Sequence, residues 1–172
     1  GATSGSAFIN GRAGHRFGVR NSGASIVVEG IGDHGLEYMT GGKVVILGDV
    51  GQNFGAGMSG GIAYVLPTNI EEFKFQCNTE MIEFEPLQNK QEVSEVRNLI
   101  IKHLEETDST LALNVLAKWE EMIPRFVKVV PTDYKVMLQK IEAFKEEGFK
   151  TEEATLKAFT AVTTKSKVVV AK

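Results

Sequence analysis

The chain has 172 residues, a formal net charge of −3 and a single cysteine, Cys77. A chain of this length can bury roughly 70% of its unfolded surface in one core. One cysteine excludes a disulfide framework and any cysteine-built zinc or iron–sulfur site, and fits a reducing, cytoplasmic setting. No apolar run approaches the roughly 20 residues that span a bilayer, no signal-peptide pattern opens the chain, and the interspersed charges form no nucleic-acid surface.

Composition changes sharply along the chain. Seventeen of the eighteen glycines lie in residues 1–67, with four basic and four acidic residues; residues 68–172 hold fifteen and eighteen. The first part reads as a glycine-cornered parallel β-helix. The second reads as a mixed strand and α-helical extension packed on it as one structural unit. Pro67 marks the joint.

Within residues 1–67 the dominant signal is a period of 19. Gly23, Gly42 and Gly61 fall on it, as do Met39 and Met58, and His15, His34 and Asn53. Ile26-Val27-Val28 aligns with Val45-Ile46-Leu47 and Tyr64-Val65-Leu66, and one step earlier with Ala7-Phe8-Ile9. A fixed short period of apolar runs and glycine corners specifies a solenoid. Each unit has room for about three short strands, which pair in parallel with the next turn about 4.8 Å away. Glycine columns follow where one backbone closely overlies the next. Four turns are expected, beginning near residues 4, 23, 42 and 61. Both ends of such a coil are open parallel edges. The segment after Pro67 can cap one; further turns are expected to precede residue 1, in keeping with the absent initiator Met.

Beyond Pro67, residues 71–87 alternate well enough for one or two strands. Residues 91–106 form an amphipathic helix with Val93, Val96, Leu99, Ile100, His103 and Leu104 on one face. Asp108-Ser109-Thr110 starts a second helix, whose stripe runs from Ala112 through Trp119 to Ile123 and which Pro124 ends. Phe126–Val130 is strand-like. A helix from Thr132 or Asp133 to about Glu147 turns Met137, Leu138, Ile141 and Phe144 inward and stops at Gly148. Thr151 opens a last helix with Leu156, Phe159 and Val162 on one side. The Lys165–Lys172 tail is basic and reads as loose.

Several motifs invite a chemical reading. Gly55-Ala56-Gly57-Met58-Ser59-Gly60 is a literal G-x-G-x-x-G. A dinucleotide site needs a helix after it, to meet the pyrophosphate. Here Ile62-Ala63-Tyr64-Val65-Leu66 follows, a strand, so the glycines read as corners. Gly41-Gly42-Lys43 lacks the spacing and the Ser or Thr of a phosphate loop. His15 and His34 would stack one turn apart beside Asp33, but Asn53 follows them and no third strong ligand completes a metal site. His103, on an apolar helix face, reads as a satisfied core histidine. Cys77 reads as a buried, inert thiol. Glu71-Glu72 and Glu105-Glu106 sit in solvated charge patterns. The residues themselves therefore describe a scaffold with no catalytic, cofactor-binding or metal-binding residues.

Three stretches carry a family resemblance: Gly11–Ala24, Val28–Gly42 and Asn53–Val65. With looser matches at Asn78–Met81, the Leu99–Leu104 helix, Ala117-Lys118-Trp119 and Phe126–Pro131, they resemble the "GXGXG" β-helix domain at the C-terminal end of the glutamate synthase large (alpha) subunit. The resemblance reaches to about residue 138. It implies a right-handed parallel β-helix without catalytic residues. The parent enzyme moves the amide nitrogen of glutamine to 2-oxoglutarate and reduces the product to glutamate. Its chain-terminal cysteine nucleophile, its FMN and its iron–sulfur cluster belong to other domains. The implied partners are those glutaminase and FMN-binding synthase domains, whose geometry the β-helix helps to set. Self-association through the open coil end is a further expectation. Whether the parent enzyme draws electrons from ferredoxin or a nicotinamide cofactor stays open. Two other readings remain: a β-helix subunit like the third subunit of formylmethanofuran dehydrogenase, and a stand-alone lyase or hydrolase. The latter is disfavoured because Glu29 and Asp49 share no column.

Overall fold

The computed structural model describes the backbone of residues 1–169 and the side chains of residues 1–162. Four strands, β1 (Ser6–Ile9), β2 (Ser22–Val28), β3 (Thr40–Ile46) and β4 (Gly60–Val65), stack in parallel as rungs of a coil of about three turns. That is fewer than the four turns expected. Four rungs close only three turns, and after β4 the chain leaves the coil at Pro67. Two later strands, β5 (Ile82–Pro86) and β6 (Val127–Pro131), complete a six-stranded sheet in the order β1-β2-β3-β4-β6-β5. β6 is antiparallel to β4 and closes the outer edge of the last rung.

The period is not uniform. Ile9 pairs with Val28, 19 residues on, and Ile46 with Val65, again 19; Val28 pairs with Ile46, 18 residues on. The middle turn is thus one residue short. The expected alignment of Ile26-Val27-Val28 over Val45-Ile46-Leu47 is displaced to Val44-Val45-Ile46. The glycine column shifts with it. A Cβ on Gly42 would meet the Ala24 carbonyl oxygen at 2.4 Å, so Gly42 overlies Ala24 and not Gly23. Gly61 overlies Gly41.

Each turn carries one strand, not three. The opposite arm of the coil is built from residues in the left-handed region, alternating along the chain and stacked in three columns. Arg16, His34 and Asn53 (φ 59°, 62°, 56°) form one, Gly18, Leu36 and Gly55 (φ 66°, 55°, 74°) the second, and Arg20, Tyr38 and Gly57 (φ 57°, 55°, 65°) the third. The backbone of this arm is bonded turn to turn. The N–H groups of Arg16, Arg20, His34 and Tyr38 reach the carbonyls of Asp33, Glu37, Gln52 and Ala56 at 2.8–2.9 Å. An L-residue in this conformation costs about 1–2 kcal/mol, which Arg16, Arg20, His34, Leu36, Tyr38 and Asn53 bear. Exposed Arg20 offers a direct test. Arg20→Gly should raise stability by up to about 1 kcal/mol, once the entropy lost by glycine is deducted. Urea unfolding would measure it, and a loss of stability would contradict the account.

Strand residues alternate in direction. Ile26, Val28, Val44, Ile46, Ala63 and Val65 join Leu36, Met39, Phe54 and Met58 in the coil interior. The residues between them, Val27, Val45 and Tyr64, are equally buried. On that side lies α2 (Lys90–Thr107), which packs on β1–β3 and buries Val96, Ile100 and His103. A sheet covered on both faces explains why its strands read as continuous apolar runs.

Residues 70–76 are helical, contrary to the strand expected there. The Asn69 side chain caps α1 (Ile70–Gln76) by accepting the Glu71 and Glu72 N–H groups, and acids in the first turn suit the helix dipole. Phe73 is buried while Phe75, two residues on, is 92% exposed, as helical geometry requires and a strand would not. β5 forms as expected. Ser109 caps α3 (Thr110–Ala117), but the expected single helix breaks at Lys118; α4 (Trp119–Met122) and a 3₁₀ turn (Ile123–Arg125) follow. Residues Gly1 to Pro131, coil and following segment together, form one compact unit.

A second unit begins at Thr132. It contains α5 (Thr132–Glu146) and α6 (Thr151–Val169), joined through Gly148. Lys157 Nζ lies 3.5 Å from the Phe149 ring centroid, and Phe144 packs edge-on against Phe149. Ala154 and Ala158 are the buried face of α6; Leu156 and Phe159, expected on one side of it, are exposed. Small residues permit the close approach of two helices that the larger ones would prevent. The expected loose tail is helical as far as Val169, and its last three residues lie outside the described residues. No helix among the described residues is long and apolar enough to cross a membrane.

Candidate functional site

The most concentrated chemistry lies where the coil meets α2 and α3. Glu29 follows β2 directly. Its Oε2 accepts the Gly11 N–H at 2.8 Å; its Oε1 accepts the Ser109 hydroxyl and lies 3.3 Å from His103 Nε2. Ser109 Oγ also accepts the Ala112 N–H at 2.9 Å, as the cap of α3. Asp108, at φ 53°, turns the chain between the two helices and brings His103 and Ser109 together. Burial pushes the Glu29 carboxyl up, but the Ser109 hydroxyl, His103 and the Gly11 N–H outweigh it and hold the group below its ordinary value.

Serine, histidine and glutamate in contact suggest a nucleophilic triad, but the order is wrong. A triad runs serine to histidine to carboxylate. Here Ser109 and His103 both address the same carboxylate oxygen, and the serine proton goes to Glu29. His103 and Ser109 are fully buried. The cluster is a polar pin between coil and helices. It partly meets the expectation of a satisfied core histidine: Nε2 has its partner, while buried Nδ1 has none among the described residues. Glu29 was not legible as a site residue, because its partners lie 74 and 80 positions away.

A second polar junction lies on the same side of the sheet. Lys128 on β6, 12% exposed in its side chain, bonds Glu92 of α2 at 2.7 Å and Glu85 of β5 at 3.2 Å. Burial lowers the ammonium pKa, and the two carboxylates more than restore it, so the net shift is upward. Lys43 pairs with Glu95. The buried Tyr64 phenol nearby is pushed up by burial and then by Glu92 and Glu95.

The two histidines expected to stack do not converge. His15 Nδ1 accepts the Asp33 N–H at 2.9 Å. His34 Nδ1 meets Glu37 Oε1 at 2.7 Å, and Asn53 Nδ2 donates to the same oxygen at 2.9 Å. The short middle turn puts Arg16, not His15, in the column of His34. Among the described residues no group of three or more His, Cys, Asp or Glu is placed to hold a metal ion. In the G-x-G-x-x-G stretch, Gly55 and Gly57 occupy left-handed positions of the arm and Gly60 opens β4, so strand follows the motif. Cys77 Sγ donates to the Phe73 carbonyl at 3.2 Å, and burial pushes the thiol up to about 12. Only the thiolate is nucleophilic. Ellman's reagent at pH 8 should therefore label the folded protein at least tenfold more slowly than the unfolded chain; equal rates would refute the burial argument.

A parallel coil with glycine corners, closed by an antiparallel strand and packed against helices, is thus the architecture of residues 1–131. The chain belongs to the GXGXG motif family, whose model matches residues 1–132. It is 56% identical over 163 residues to the glutamate synthase [NADPH] large chain of Bacillus subtilis (strain 168), covering 95% of this chain. It is 52% identical over 148 residues to the glutamate synthase [NADH] of Schizosaccharomyces pombe, covering 86%, and 45% identical over 131 residues to the chloroplastic ferredoxin-dependent glutamate synthase of Spinacia oleracea, covering 76%. The chain spans 11%, 7% and 8% of the lengths of these relatives.

Proposed function

We propose that this chain is the non-catalytic spacer of a glutamate synthase large chain, an oxidoreductase that makes L-glutamate from L-glutamine and 2-oxoglutarate. The observation that carries the reading is the 56% identity to the Bacillus subtilis large chain across 95% of this chain. The local chemistry agrees. Glu29, His103 and Ser109 are spent on one another, and the glycines serve backbone stacking. In this reading the coil is right-handed, and its first rung belongs to a coil of four or more turns. Its partners are the glutaminase and FMN-binding synthase domains of the same cytoplasmic enzyme, and FMN and the iron–sulfur cluster lie in those domains. Self-association of the isolated chain through the edge of β1 belongs to the same reading. The chain is similar to NADPH, NADH and ferredoxin enzymes alike, so the electron donor of the parent enzyme stays open.

The test is a segment exchange in the Bacillus subtilis large chain. Replacing its matching stretch with this chain should retain glutamine-dependent glutamate synthesis. Replacing it with a Gly/Ser linker should leave glutaminase turnover and ammonia-dependent synthesis but uncouple them. Full coupling with the linker, or a flavin spectrum from this chain alone, would remove the spacer reading.

A further inference from the structure

The left-handed arm carries an open groove of about 700 Å³, whose lining includes Arg16, Arg20, Glu37, Tyr38, Gly57 and Ser59. Arg16, Arg20 and Tyr38 all hold the left-handed conformation. The third column shows that glycine fits there, since Gly57 takes that place one turn above Tyr38. Strain kept at exposed side chains points to a task for those side chains. Glu37, the one carboxylate lining the groove, is bonded to His34 and Asn53, and among the described residues no carboxylate pairs with Arg16 or Arg20.

We propose that this groove docks an acidic protein segment: carboxylates bind the Arg16 and Arg20 guanidinium forks, and an adjoining apolar side chain lies on the Tyr38 ring. Two observations and one general property of the guanidinium group select this occupant. The Arg16, Arg20 and Tyr38 N–H groups are already bonded within the arm, so there is no backbone nest for a small free anion. Guanidiniums bind side-chain carboxylates in bidentate fashion without such a nest. Tyr38 is 58% exposed, an aromatic surface of the kind that anchors protein interfaces. The segment belongs to the remaining length of the large chain, of which this chain spans 11% in the Bacillus subtilis relative. That assignment rests on the spacer reading; the groove chemistry does not.

The test uses the 172-residue chain and overlapping synthetic peptides covering the rest of the Bacillus subtilis large chain. Acidic peptides should bind, more weakly as salt rises. Arg16→Gly/Arg20→Gly should weaken binding about tenfold or more, with unfolding midpoints unchanged or raised, because glycine suits both backbone positions. Binding by no acidic peptide, or equal binding by the variant, overturns the proposal. So does displacement by inorganic phosphate at micromolar concentration, which would make the groove a small-anion site. Coupled synthesis is not the readout, so a negative result here leaves the segment exchange to judge the spacer reading separately.

Discussion

Gly60→Ala should destabilise the protein by about 3 kcal/mol or more, at the upper end of what overpacking costs. A Cβ at Gly60 would sit 2.1 Å from the Thr40 carbonyl oxygen and 2.8 Å from its carbonyl carbon. Both are backbone atoms of the rung below, in a sheet bonded on both sides, so neither can move without breaking the β3–β4 ladder. Gly55→Ala is the matched control. Its φ of +74° is unfavourable, but its Cβ would meet only Ile82 Cδ1, at 3.1 Å, the end of a side chain that can rotate. That substitution should cost about 1–2 kcal/mol. Urea unfolding of the two variants separates close approach from dihedral strain. Equal losses would mean that the rungs are not stacked as described.

Removing the Glu29 carboxylate should have the next largest effect. Glu29→Ala strands the Ser109 hydroxyl, His103 Nε2 and the Gly11 N–H inside the protein, at about 3 kcal/mol in total. Glu29→Gln keeps an acceptor and should cost less, but it removes a pH dependence. The folded-state pKa of Glu29 is depressed below its ordinary value of 4.5. Its contribution is therefore fully present above that value and is lost as the pH falls through the depressed one. Stability of the parent protein should decline from pH 4.5 downward more steeply than that of Glu29→Gln. Parallel acid limbs in chemical unfolding series would show that the carboxylate is not engaged.

The coil was legible because stacking makes equivalent residues neighbours, and neighbours share constraints. A single short turn was enough to misplace Ile26-Val27-Val28 by one rung position, since a period averaged over three repeats hides a missing residue. The left-handed arm was invisible for a different reason. Left-handed residues are usually glycine or asparagine. Arg16, Arg20, Leu36 and Tyr38 carry no such mark, and the turn-to-turn hydrogen bonds that hold them there are not local. In α1 the local signal was present, Asn69 followed by two acids, but two phenylalanines at alternate positions imitated a strand. The polar pin failed on distance alone: no window contains both Glu29 and His103. In α6 the bulky stripe drew attention, while the interface is made by Ala154 and Ala158.

The antiparallel strand β6 sets how small a piece of this protein can stand by itself. Each parallel rung reaches its neighbour across 18 to 20 residues, but Val65 reaches Val127 across 62. A chain cut anywhere between Pro67 and Phe126 would present β4 as a bare parallel edge of Gly-Gly-Ile-Ala-Tyr-Val, with no charge or proline to deter pairing. A chain that reaches Pro131 seals that edge with Val127–Val129 and holds it through Lys128, Glu85 and Glu92. The excisable module therefore ends at the last residue of β6, one position before the end of the stretch that the family shares. In domain grafting, that is the boundary to cut at.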